Sequence, residues 1–247
     1  SNWSADYLMG IQARCLVITN GGTSVIAGRN GQVRVSRNGS IVDWTPSSIG
    51  ATTHLEAACV FSALDQEVIL VAGLTGKMYR SVDAGLTWSV VAFPAGSANI
   101  LGVAGNANVA FAITSTAVYK SLDAGVTWAA VTDAAIPTSN LGKLVLIDDI
   151  FFVTHPGKNI IVGPADGTAW PAYDTRIAEN IYHFRTDLPG AYGDLLLIAQ
   201  NGDMVRSRDY GVTWEPVNAE LEGDTALRGC AYYESFGGSA TQVWIVA

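Results

Sequence analysis

Ser81-Val82-Asp83-Ala84-Gly85-Leu86-Thr87-Trp88, Ser121-Leu122-Asp123-Ala124-Gly125-Val126-Thr127-Trp128 and Ser207-Arg208-Asp209-Tyr210-Gly211-Val212-Thr213-Trp214 are three near-copies of one octapeptide, S-x-D-x-G-x-T-W. Two weaker copies extend the series. Ser36-Arg37-Asn38-Gly39 reaches Trp44 through one extra residue, and Gly163–Trp170 keeps only a Gly and the Trp in register. The tryptophans fall at 44, 88, 128, 170 and 214, so the unit repeated is 40 to 44 residues long. That is the length of a four-stranded propeller blade.

Each unit reads as strands. In the second, Ala57–Phe61, Glu67–Ala72, Lys77–Ser81 and Thr87–Val91 are short apolar runs separated by turn residues, with no sustained 3.6-residue period. The fifth repeats the plan with Asp194–Ala199, an Asn201-Gly202-Asp203 turn and Met204–Ser207. The octapeptide belongs at the hairpin joining the third and fourth strands. There Asp83, Asp123 and Asp209 can accept bonds from backbone N–H groups about two residues on. Gly85, Gly125 and Gly211 supply a left-handed conformation. Ser81, Ser121, Ser207, Thr87, Thr127 and Thr213 can satisfy further backbone groups, and Trp88, Trp128 and Trp214 return the chain to the interior.

On these octapeptides the chain resembles the BNR or Asp-box repeat family, which includes sialidases, sortilin-type receptors, xyloglucan hydrolases and Ycf48-type photosystem assembly factors. The resemblance implies a β-propeller with the boxes on its outer lower rim, opposite the usual ligand face. Cysteine phase helps count blades. Cys15 and Cys59 each precede a box tryptophan by 29 residues, and Cys230 follows Trp214 by 16, as Cys59 follows Trp44 by 15. The expectation is one all-β domain over residues 1–247, built of four-stranded antiparallel blades. Six blades are expected, Gln242–Val246 being a second strand of the last, with the Trp3 region closing the ring against the C-terminal strands. Five blades plus a partial one is the alternative.

The net charge of −8 disfavours nucleic acid as a partner, and no apolar run approaches a membrane span. No cofactor is expected. The cysteines read as small core residues, and no signal-peptide core is visible. The expected location is a virion, or the cytoplasm at synthesis, and extracellular if the chain is processed.

The sialidase resemblance implies three arginines, an acidic proton donor and a Tyr–Glu pair. The family's Arg-Ile-Pro motif is missing, and Arg80, Lys120 and Arg206 are explained by the repeat, since each stands just before a box. His54, His155 and His183 lie in different units without metal-ligand spacing. Alternation along Asn180–Asp187 would put His183 and Arg185 on one face, where they could hold an anion or a partner's carboxylate. The fourth unit diverges most, through His155-Pro156-Gly157-Lys158 and Trp170-Pro171-Ala172-Tyr173, which makes His155, Lys158 and Tyr173 candidates for a protein contact. The expected function is a non-catalytic structural or protein-interaction module whose partners are other subunits of an assembly, such as a phage tail or capsid. A carbohydrate-binding propeller and a sialidase-like hydrolase are the alternatives, which would make glycans the ligands.

Overall fold

The structure is a computed structural model that describes residues 11–37, 39–40, 43–50, 52–63, 65–107, 109–147, 149–155, 159–164, 169–177, 181–185, 195–199, 203–217, 229–234 and 241–246. Of 159, 164, 182–185, 229–234 and 241–246 it describes the backbone alone. The chain divides into two compact units, one mainly of Ser1–Thr132 and one of Asp133–Pro164 with Ala169–Ala247.

The first unit holds three antiparallel four-stranded meanders, each paired in chain order. The first sheet is β1 (Ala13–Ile18), β2 (Ser24–Gly28), β3 (Val33–Ser36) and β4 (Trp44–Ser47). The second is β5 (Leu55–Ala63), β6 (Gln66–Gly73), β7 (Met78–Ser81) and β8 (Ser89–Val91). The third is β9 (Gly102–Gly105), β10 (Ala110–Ile113), β11 (Val118–Ser121) and β12 (Ala129–Ala130). The first strands β1, β5 and β9 lie against one another in succession. The four runs expected in the second repeat correspond to β5 to β8 with ends shifted by up to two residues.

The run Val68–Ala72 is fully buried because a strand presents alternate side chains to opposite faces, and here both faces are covered. Ile69 and Val71 pack with Val25, Val33 and Val35 of the first sheet. Val68, Leu70 and Ala72 pack with Val103, Ala110, Ala112 and Trp128 of the third. Burying each such side chain contributes about 1.5–3 kcal/mol. An uninterrupted apolar strand is therefore what a sheet sandwiched between two others requires.

The second unit has β13 (Leu144–Ile147), β14 (Ile150–His155), β15 (Asn159–Pro164) and β16 (Ala172–Asp174) as one meander. A second meander is β17 (Ile181–Arg185), β18 (Leu195–Ala199), β19 (Met204–Ser207) and β20 (Glu215–Pro216). The pair β21 (Gly229–Glu234) and β22 (Thr241–Val246) forms a two-stranded sheet that begins where a sixth repeat was expected, with Cys230 on its first strand. Phe152, Ile160, Leu195, Leu197, Val205 and Trp214 make the core shared by the two meanders. Trp3 lies outside the described residues, and so does its expected place beside the C-terminal strands.

The turn between the second and third strands recurs in the first two sheets. In Gly28-Arg29-Asn30-Gly31 and Gly73-Leu74-Thr75-Gly76, Asn30 and Thr75 have φ 56 and both closing glycines have φ 66. Gly28 and Gly73 are required for a different reason. A Cβ there would stand 2.1 Å from the carbonyl oxygens of Gln12 and His54, on the segments that lead into the first strands. Gly73→Ala should therefore destabilise the fold by roughly 3 kcal/mol, the upper end for forced overpacking, measured as a lowered midpoint in urea unfolding.

Candidate functional site

The three octapeptides form the same turn to within 0.1 Å in most of their bonds. The amide of Leu86 meets the carbonyl of Asp83 at 3.3 Å, and Ala84 and Gly85 take φ 56 and 79, so the turn is type I′. Ser81 donates its hydroxyl to Asp83 Oδ1 (2.8 Å) and accepts from the amide of Gly85 (2.9 Å). Thr87 closes the loop from the other side, its amide donating to Oδ1 at 2.9 Å and its hydroxyl to Oδ2 at 2.5 Å. Ser121, Asp123 and Thr127 repeat these bonds, as do Ser207, Asp209 and Thr213. The carboxylate's amide donor is thus four residues on, rather than the two expected from the sequence. The first sheet has a different turn, in which Ser36 donates to Ser40 O and the Ser40 hydroxyl donates to Asp43.

Partial burial pushes the three carboxyls upward, but the threonine hydroxyl and amide, the serine hydroxyl and the next backbone N–H together hold each below the ordinary aspartate value. These acids are committed as anions to their own turns. The indole of Trp128 donates to Gly125 O at 3.1 Å and that of Trp214 to Gly211 O at 2.9 Å. In the second sheet a hydroxyl from the first is inserted instead: Trp88 Nε1 donates to Ser47 Oγ (3.0 Å), which donates to Gly85 O (2.7 Å).

Four other contacts join neighbouring sheets of the first unit. Arg80 Nε reaches the carbonyl of Ala124 at 2.8 Å, linking the second turn to the third, and the Asn20 amide donates to Glu67 Oε1 at 2.6 Å. The amide of left-handed Asn30 donates to His54 Nδ1 (3.2 Å), and that of left-handed Thr75 to Asn99 Oδ1 (3.0 Å). Arg80 and His54 are thereby structural links, a role that the sequence reading did not assign.

The candidate contact residues of the second unit are placed as follows. His155 ends β14 opposite Asn159 of β15, which in turn lies opposite Asp174 of β16. Directly paired residues share a sheet face, so His155, Asn159 and Asp174 form one cross-strand row at the end of this sheet. His155 Nδ1 is buried with no hydrogen-bond partner among the described residues. Half-buried Tyr173 pairs with Ile160 and packs on the core, while Lys158 lies outside the described residues. His183 and Arg185 lie on β17, the first strand of its sheet, opposite Ile198 and Leu196. The register shifts between Ile181 and His183, so the alternation expected along this strand is interrupted at its start.

Among the described residues no group of three or more His, Cys, Asp or Glu could hold a metal ion. Burial pushes the thiols of Cys15 and Cys59 up to about 12, so both remain protonated at neutral pH. Among the described residues no helix is long and apolar enough to cross a membrane.

No family model matches the sequence, and no curated protein matches it either. Solved structures do match. YCF48 from Cyanidioschyzon merolae superposes with a TM-score of 0.69 at 16% identity, over 91% of this chain and 78% of that one. These meanders are blades. The fold is a β-propeller. A structure of YCF48 bound to D1 peptide matches this propeller with a TM-score of 0.62 at 17% identity, over 84% of this chain and 70% of that one. The GH74 enzyme of Niastella koreensis matches with a TM-score of 0.65 at 18% identity, covering 96% of this chain, which spans only 34% of that enzyme.

A carboxylate held low by folding contributes stability that is complete above the unfolded carboxyl range and is lost as pH falls through the folded value. Asp123→Asn should accordingly lower stability at pH 7 by about 1–2 kcal/mol, the scale of a hydrogen-bonded charge. Parallel denaturation series should show that deficit beginning to shrink below about pH 4, where the unfolded carboxyl takes up a proton, and disappearing only once the pH lies under the lowered folded value.

Proposed function

We propose that this chain is a non-catalytic protein-interaction β-propeller, a component or accessory of a larger assembly such as a phage tail or capsid. The observation that carries the reading is the commitment of the repeated acids. Asp83, Asp123 and Asp209, the only carboxylates that the repeat multiplies, each accept from a serine hydroxyl, a threonine hydroxyl and a threonine amide of their own turn. In this reading they are Asp boxes, structural in role, on one domain of residues 1–247 with six blades. The YCF48 structure bound to D1 peptide supports a protein ligand, since that protein presents the same fold to a peptide.

The contact is assigned to the fourth and fifth blades, through His155, Lys158 and Tyr173 with His183 and Arg185. The His155–Asn159–Asp174 row supports this, because it ends in a buried imidazole nitrogen that has no partner among the described residues. A buried polar atom of that kind favours a ligand able to donate or accept a hydrogen bond.

The purified protein should show no saturable binding on a glycan array and no hydrolysis of a fluorogenic sialoside. Against the products of neighbouring genes in a binding assay, His155→Ala with Lys158→Ala should weaken the partner about tenfold, or ~1.4 kcal/mol, while the circular dichroism spectrum stays that of the wild type. Sialoside turnover abolished by Arg185→Ala would replace this reading with a hydrolase.

A further inference from the structure

Charge is distributed unevenly along the chain. Residues 1–132 carry seven basic and seven acidic side chains, while residues 133–247 carry seven and fifteen, so the net charge of −8 arises in the second half of the chain. Within the first unit the stretch 84–132 contains only two charged residues, Lys120 and Asp123. An average protein segment of this length would carry roughly a dozen. The stretch includes β8 and the entire third blade, and Asp123 is occupied by its own turn.

The missing charge coincides with exposed apolar surface. Of the nine large apolar side chains left exposed among the described residues, five lie on the octapeptides and the outer strand of the second and third blades: Val82, Leu86, Val90, Leu122 and Val126. Four of these are the variable positions of the octapeptides of the second and third blades. The bonds of Ser, Asp and Thr fix the loop and leave these side chains directed outward. Val90, on β8, and Leu122, in its turn, are 73% and 71% exposed. The two turns are neighbours, since the Arg80 side chain spans from one blade to the carbonyl of Ala124 in the other.

The outer strands point the same way. An outermost strand offers unpaired N–H and C=O groups, and natural proteins protect such edges with charge or proline. The strand β4 contains Pro46, β16 contains Asp174, and β20 is Glu215-Pro216. By contrast β8 is Ser89-Val90-Val91 and β12 is Ala129-Ala130, with neither device, and Ser89, Val90, Ala129 and Ala130 are exposed.

We propose that this face, formed by the outer edges and third-to-fourth-strand turns of the second and third blades, binds a second copy of the chain. Self-association requires a surface complementary to itself, because the same patch meets its twin across a two-fold axis. A charged patch opposed to its own copy repels, and the second unit, with its excess of acids, would bring like charge against like. The neutral apolar face of the second and third blades carries no such penalty, and depletion of charge at its centre is the composition of an interface core.

The test is sedimentation equilibrium of the full chain across concentrations up to tens of micromolar. A reversible dimer is expected, its affinity constant or rising with added salt as repulsion between the acidic surfaces is screened. Leu122→Glu and Ala130→Lys, at exposed side chains outside the turn's hydrogen bonds, should each weaken it at least tenfold while leaving the melting temperature of the monomer unchanged. Val212→Glu, at the equivalent turn of the fifth blade, should leave it intact. A chain that stays monomeric throughout would overturn the proposal and assign the face to a different protein. A dimer indifferent to both Leu122→Glu and Ala130→Lys, or one dissolved by salt, would overturn it as well.

Discussion

A type I′ turn needs two successive residues with positive φ, and at Ala84, Ala124 and Tyr210 the first of these is not a glycine. An L-residue in that region costs roughly 1–2 kcal/mol. The carboxylate two positions into the octapeptide offsets this by drawing a serine and a threonine from opposite ends of the loop onto its two oxygens. With the loop closed, the tryptophan that follows returns at a fixed place, and its indole bonds a glycine carbonyl directly at 128 and 214, or through Ser47 at 88. The third-to-fourth-strand return of each such blade rests on that one anion.

Neighbouring blades of the first unit then mate at several heights. Side chains of β6 alternate between two cores. On the side of the octapeptides, Ser47 and Arg80 cross to the next turn. On the other side, left-handed amides cross to His54 and Asn99. Polar links at both rims with apolar packing between them hold one sheet's face in register with the next. A propeller needs this register if its loops are to present a fixed surface.

The sequence announced the octapeptides openly, because Asp, Gly and Trp each have a distinct physical task there and their spacing cannot drift. It also revealed the continuous apolar strands and the beginning of a two-stranded element at Cys230. Other features were hidden by their chemistry. Nothing in the letters Ala84 or Tyr210 signals positive φ, since neither residue favours it. The glycines at 28 and 73 stand 45 residues apart and are a second ruler, but their letters mark only turns, where the structure shows a close approach to backbone. His54 and Asn99 share that spacing and are different residue types, so a comparison of letters passes over them. The register shift beside His183 was equally hidden, because a bulge changes pairing without changing the pattern of apolar residues.

The joint made by Asn30 with His54, and again by Thr75 with Asn99, has a consequence for how far such a chain can drift. Its donor is a main-chain amide, held in place by the shape of a hairpin, which substitution of most side chains leaves where it is. Its acceptor need only present one lone pair at the right distance, and imidazole and carboxamide serve alike. Half of the contact is beyond the reach of ordinary mutation, and the other half accepts synonyms. Blades joined in this manner can exchange nearly every letter and still meet at the same angle, so that geometry outlasts the text that encodes it.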